Sequence, residues 1–250
     1  MNDRNLELKK IRDLDISAAA TGGRPLHLSA GSGLVRHGRA IYVIADDELH
    51  LGRFSVDGVE PGRLVRLFDG VLPDAKGARK RLKPDVEALV LMPALTGFPN
   101  GSLLAIGSGS NANRHRGALL GFDPYGDISG PPRTVDLSEF LHPLEQHFSE
   151  INIEGAVVIG DEFHFFQRGN GKQAENAIIR YPLQPFLETL EGGSAKSNRC
   201  QSTGLILVRS TGFHLASPMR LHCPMVRLCS VPLRKTPGIP SLTESVLQRP

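Results

Sequence analysis

The feature that most constrains this chain is a unit that occurs three times: apolar strand, glycine turn, second strand, polar end. In the third copy, Ile151 to Ile159 is apolar apart from Asn152 and one acid, Glu154. Gly160-Asp161 suits a tight hairpin, and Phe163 to Gln167 is aromatic-rich and strand-favouring. The copy closes on Gln167, Arg168 and Asn170 around a glycine. The second copy runs from Pro84 to Leu91 with Glu87 inside it, turns at Pro99-Asn100-Gly101, and continues from Ser102 to Ile106. Its polar end is Gly107-Ser108-Gly109-Ser110-Asn111. The first copy leads from Ser32-Gly33-Leu34-Val35 through His37-Gly38 into Ala40 to Ala45, and ends in Asp46-Asp47-Glu48.

Spacing of roughly 50 to 70 residues between copies marks a repeat architecture, with propellers among the candidates. Further strand patterns follow each copy: Leu49 to Phe54 and Arg63 to Phe68, then Ala118 to Asp123 and Arg133 to Leu137, then Ala177 to Tyr181. The expected fold is therefore all-β: a β-propeller-like array of antiparallel blades, incomplete, within residues 25–194. Its units lie near 25–75, 84–140 and 151–190. Residues 1–24 read as a lead-in with at most a short helix at Leu6 to Leu14. Lys76 to Lys83 reads as a solvated basic loop. Ser138 to Ser149 reads as a short helix capped by Ser138.

Residues 195–250 break the pattern. Of 29 Lys/Arg and 26 acids, eight cations but only one acid, Glu244, lie from Ala195 onward, so the apparent basicity belongs to the tail. A basic face for nucleic acid is poorly supported. All three cysteines, Cys200, Cys223 and Cys229, are also there, at no zinc-site spacing. No apolar run is long enough to span a membrane. Met1 to Asp15 is charged and lacks the core of a secretory signal, so the expected location is cytoplasmic. The tail reads as an out-of-frame translation. Shifting the frame from Gly212 permits a fourth copy: an acid in an apolar strand, an Asp-Gly turn, a β-rich strand and an acidic end. Some of its residues are forced, such as leucine from His222-Cys223 and glycine from Met225-Val226. The expected tail is poorly ordered, and the chain carrying it unstable or insoluble, and inactive.

Two acids at equivalent repeat positions, Glu87 and Glu154, are the candidate metal ligands. On the innermost strands of propeller blades they would converge on a channel and suit a hard cation such as Ca²⁺. The alternative is a pair of structural carboxylates held by backbone N–H groups or an arginine. Asn111, Arg114, Arg168 and Asn170 follow second strands and could hold an anionic ligand, or pair with neighbouring acids instead. The Asp46-Asp47-Glu48 run could bind a cation or merely be solvated. His142, Glu145 and His147 do not fit a helical zinc pair, because of Pro143 and their spacing. No phosphate loop or nucleophile elbow occurs.

These stretches, above all Lys83-Pro84-Asp85-Val86-Glu87-Ala88-Leu89, Gly107-Ser108-Gly109-Ser110 and Asn152-Ile153-Glu154-Gly155-Ala156, resemble an uncharacterised bacterial family of unknown function. The resemblance implies a β-propeller and no established activity. More distantly, Asp85-Val86-Glu87-Ala88 and Asn152-Ile153-Glu154-Gly155 resemble strands of phytase-like and gluconolactonase-type propellers. That likeness implies a metal-dependent hydrolase of a small anionic substrate. A non-catalytic propeller that binds a small molecule or a protein is the alternative.

Overall fold

A computed structural model describes residues 10–17, 26–28, 30–58, 60–169, 175–192 and, for the backbone alone, 206–210. The chain is mostly β. Three four-stranded antiparallel sheets follow one another along it. The first comprises β1 (Gly31–His37), β2 (Ala40–Ala45), β3 (His50–Ser55) and β4 (Arg63–Arg66). The second comprises β5 (Val86–Met92), β6 (Ser102–Gly107), β7 (Arg116–Phe122) and β8 (Ile128–Asp136). The third comprises β9 (Ile153–Ile159), β10 (Glu162–Gln167), β11 (Asn176–Pro182) and β12 (Ile206–Ser210). Each expected strand pair is the β1–β2, β5–β6 or β9–β10 hairpin of one sheet. Gly38, Gly101 and Gly160 take the positive φ their turns need, at 56°, 83° and 61°.

The first strands β1, β5 and β9 lie side by side, with β5 between the other two. β1 and β9 are half-buried, whereas the second strands β2 and β6 are buried throughout. One apolar cluster joins sheets two and three and takes in Leu104, Ile106, Phe163, Phe165 and Ile179. Another joins sheets one and two through Tyr42, Leu51, Leu103 and Leu120. Alternation decides which side chains of β10 enter the core: Phe163 and Phe165 are fully buried, while His164 and Phe166 are not.

Helices fill the gaps. α1 (Lys76–Leu82) replaces the expected basic loop, α2 is Ser138–Leu141, and α3 is Leu183–Leu190. α3 buries Phe186, whose ring stacks on Phe163 at 3.9 Å and lies 4.3 Å from Phe140. The Tyr181 hydroxyl donates to the Phe140 carbonyl at 2.7 Å, and burial pushes its phenol pKa up. α2 is shorter than expected and runs on as a 3-10 turn, His142–Gln146. Ser138 is its first helical residue, so the N-cap position falls to Leu137, and the Asp136 carboxylate just before it accepts from the Ser138 N–H.

Sheets one and two are also bolted by charge. Asp127, between β7 and β8, accepts two hydrogen bonds from Arg53 at 2.9 Å and one from Arg63 at 3.1 Å. Burial alone would raise the Asp127 pKa. The bonds from Arg53 and the Ile128 N–H, with the charges of both arginines, outweigh burial and hold it below its ordinary value. The same carboxylate accepts from the Tyr42 hydroxyl, whose pKa burial and the Asp127 charge push up to about 12.

Two expectations fall differently. Lys10 to Leu14 is not helical; it leads into a bridge pairing Ile16 with Gly62 at the side of sheet one. β12 completes the third sheet from beyond residue 194, where the tail was expected to begin, by pairing with β11 from Asn176↔Ser210 to Arg180↔Ile206. The rest of the 195–250 segment lies outside the described residues.

Candidate functional site

The first strand of every sheet is bulged at the same place. In β1 the register steps from Gly31↔Ala45 to Gly33↔Ile44, so Ser32 is the extra residue. In β5 it steps from Val86↔Gly107 to Ala88↔Ile106, leaving Glu87. In β9 Gly155↔Phe166 is followed by Ile153↔Gln167, leaving Glu154. A bulge bends its strand and re-aims a side chain, and bulges cluster beside functional sites. The equivalence extends outward. The residues two before the bulge, Ala30, Asp85 and Asn152, each accept a backbone hydrogen bond from the residue just past a second strand: Asp46, Ser108 and Arg168 respectively. Ala30 and Asp85 are also the two described non-glycine residues with positive φ, at 53° and 55°.

These three sets of positions gather a mixed-charge cluster. Asp85 is buried and fully engaged. Its carboxylate pairs with Lys83 and Arg114, each at 2.7 Å, and accepts from the Ser108 hydroxyl at 2.7 Å. Lys83 also pairs with Asp46. Burial would lower the Lys83 pKa, but hydrogen bonds to Asp46 and Asp85 outweigh it and hold the ammonium above its ordinary value. Asp47 and Glu48 face Arg79 of α1 at 3.8 and 3.7 Å. The acidic run after β2 is therefore held by the basic helix, not merely solvated.

Glu87 stands apart. Among the described residues it has no hydrogen-bond or ion-pair partner, and its carboxyl is pushed up to about 7. Burial is the largest cause, followed by the negative charges of Glu154, Asp85 and Asp46. Glu154 accepts from Asn152 Nδ2 at 2.7 Å and from Arg168 at 3.1 Å, so an arginine does hold it.

The expected anion-binding residues separate. Arg168 is largely exposed and spends one N–H on Glu154. Arg114 turns inward: besides Asp85 it donates to Ser110 Oγ at 2.6 Å and the Lys80 carbonyl at 3.1 Å. The Asn111 side chain accepts from the Asn113 N–H at 3.1 Å and caps its own turn, Ala112–Arg114. Asn170 lies outside the described residues. Sequence reasoning missed Lys83, Asp85 and Ser108 as members of the cluster. Their signal was present, since Lys83-Pro84-Asp85 directly precedes the Glu87 strand and Ser108 opens a polar end.

Asp46, Asp85 and Glu87 bring oxygens within 4.8 Å of one another. The Lys83 ammonium already bonds the first two of them, so this trio suits an internal lysine better than an added ion. The Glu87–Glu154 side of the cluster is the part with an unengaged carboxyl.

A chain of antiparallel sheets with matched bulges and a charged cluster at its inner strand ends is a repeat-built β protein. Residues 27–216 match a family of unknown function, DUF6929, and the chain belongs to that family. The match runs past β12. No curated protein matches the chain. No helix among the described residues is long and apolar enough to cross a membrane.

Proposed function

We propose that the three sheets are blades of a β-propeller and that Glu87 and Glu154 form its functional centre, binding a hard divalent cation and through it a small anionic substrate. The reading is that of a hydrolase resembling the phytase-like and lactonase-like propellers. The observation that carries it is the bulge shared by β1, β5 and β9, which sets two carboxyls at equivalent corners, one of them, Glu87, without a hydrogen-bond or ion-pair partner among the described residues. Oxygen ligands of this kind suit Ca²⁺, which when bound polarises an ester or phosphoryl oxygen and acidifies a water. Glu87 must shed its proton to serve as a ligand, so binding strengthens as pH rises through about 7. Arg168 keeps further N–H donors for an anion beside Glu154.

A second reading, a binding module without catalysis, is favoured by one specific observation: Arg114 and Asn111 are spent on internal bonds, so fewer groups remain to orient a substrate. The test is thermal denaturation with and without Ca²⁺ for the natural chain, Glu87→Gln and Glu154→Gln. Under the proposal Ca²⁺ raises the melting temperature of the first and not of the variants. Ca²⁺-dependent hydrolysis of a generic phosphomonoester or lactone then selects the enzyme, and Ca²⁺ binding without turnover selects the binding module. No shift in any chain refutes the cation site itself.

A further inference from the structure

We infer a second metal site, for a zinc-class ion, formed by His115, His142 and Glu145. It is separate from the Glu87–Glu154 pair. Each residue offers one ligand atom, and these atoms lie within 4.8 Å of one another. The decisive group is His115, only 4% exposed, at the C-terminal end of the turn Ala112–Arg114. Its Nε2 lies 3.0 Å from the Gly109 carbonyl oxygen. A carbonyl cannot donate, so Nε2 carries the proton and donates it. In the neutral ring Nδ1 is then a bare lone pair. Among the described residues that buried Nδ1 has no hydrogen-bond partner, which is costly unless something else satisfies it. An imidazole that donates one ring N–H to a backbone carbonyl and presents the other nitrogen is oriented as metal-ligating histidines are.

The other two ligands come from the far side of the second sheet's last strand. His142 and Glu145 are the first and fourth residues of the 3-10 turn His142–Gln146. In a 3-10 helix residues three apart eclipse, so both side chains leave from one edge. Pro143 sits in the first turn of this 3-10 element, where its missing N–H breaks no helical hydrogen bond. The His142 ring meets His115 edge-on, with centroids 5.1 Å apart. Both His142 and Glu145 are exposed and can close on the fixed His115 nitrogen to the ~3.3 Å ligand separations of a tetrahedral ion. Asp136 is the nearby acid that feels both rings. Its carboxyl is held below its ordinary value chiefly by hydrogen bonds from Ser138. Two imidazoles and a carboxylate suit Zn²⁺, Ni²⁺ or Cu²⁺ over Ca²⁺. An ion here would tie the Gly109–His115 loop, which carries Arg114, to the chain just after α2.

The test is calorimetric titration of the full chain with Zn²⁺ at pH 7.5, paired with the visible absorption of Co²⁺. His142→Ala and Glu145→Gln are exposed changes, chosen because a His115 variant could fail to fold. The expected result is Zn²⁺ binding that each variant weakens at least about ten-fold, with matching loss of the Co²⁺ bands, and that Glu87→Gln and Glu154→Gln leave unchanged. A chain that binds no Zn²⁺ overturns the inference. So does Zn²⁺ binding undiminished in both His142→Ala and Glu145→Gln, which would assign the ion to other groups such as Cys200, Cys223 and Cys229.

Discussion

Replacing Glu87 with glutamine should stabilise the protein, and only at the right pH. The Glu87 carboxyl is pushed from 4.5 to about 7 by burial and by the charges of Glu154, Asp85 and Asp46. An acid raised in the folded state binds more protons folded than unfolded between those two values, so stability falls as pH rises through that window. Above about 7 the folded chain carries the whole penalty; below 4.5 the group is neutral in both states and the penalty is gone. Taken in full, the rise is worth about 3 kcal/mol, and about 1–2 kcal/mol once solvent screening at this half-buried site is allowed for. Glutamine keeps the shape and removes the charge. At pH 8, with EDTA present, Glu87→Gln should melt roughly 3–6 °C higher than the natural chain. At pH 4.5 the two should nearly coincide. A variant that melts lower at pH 8, or a difference of equal size at both pH values, would refute the reasoning and imply that Glu87 is held as a bonded carboxylate.

Phe186→Ala should cost about 3–5 kcal/mol in urea denaturation, because a fully buried ring stacked on Phe163 leaves a cavity; a loss below about 1 kcal/mol would mean that α3 is not part of the core. Arg53→Met should cost about 1 kcal/mol at pH 7. Because Asp127 is held low, that cost should persist above the ordinary aspartate value and fade as pH falls below it, and a cost that grows in acid would contradict the pairing. Gly107→Ala would place a Cβ 2.5 Å from the Arg114 carbonyl oxygen and 3.0 Å from that of Pro84. It should shift the loop that seats Arg114 on Asp85, read as lost stability together with changed backbone NMR signals from residues 108–116. If the tail is out of frame, sequencing the gene should find an inserted or deleted base around the codons for residues 192–212. An unbroken frame through Pro250 would refute that expectation.

The three hairpins were legible because glycine turns and period-two alternation act locally: Gly160 sets its turn, and Phe163 and Phe165 face the core whatever lies nearby. The bulges were not legible. Glu87 and Glu154 could be matched by position, but an extra residue in a ladder is defined only against its partner strand. α1 gave no helical signal because it buries no residue; Arg79 holds it, by a hydrogen bond to the Asp47 carbonyl and by its charge beside Asp47 and Glu48. The site was half legible for a related reason. Glu87 and Glu154 were visible as acids in apolar strands, whereas the inward turn of Arg114 rests on its pair with Asp85, a contact distant in sequence. The pairing of His115 with His142 depends on β7 and β8 bringing distant segments together.

The strand order of the third sheet bears on how the chain is made. In the first two sheets every strand pairs with its neighbour in sequence over a short connection, so loop closure is cheap and each can form soon after it is synthesised. β12 differs: α3 and residues 191–205 separate it from β11. Until β12 leaves the ribosome, Asn176–Pro182 is an uncovered edge with unpaired backbone groups. It is therefore a stretch of the nascent chain that stays open to pairing with a wrong strand until β12 is made.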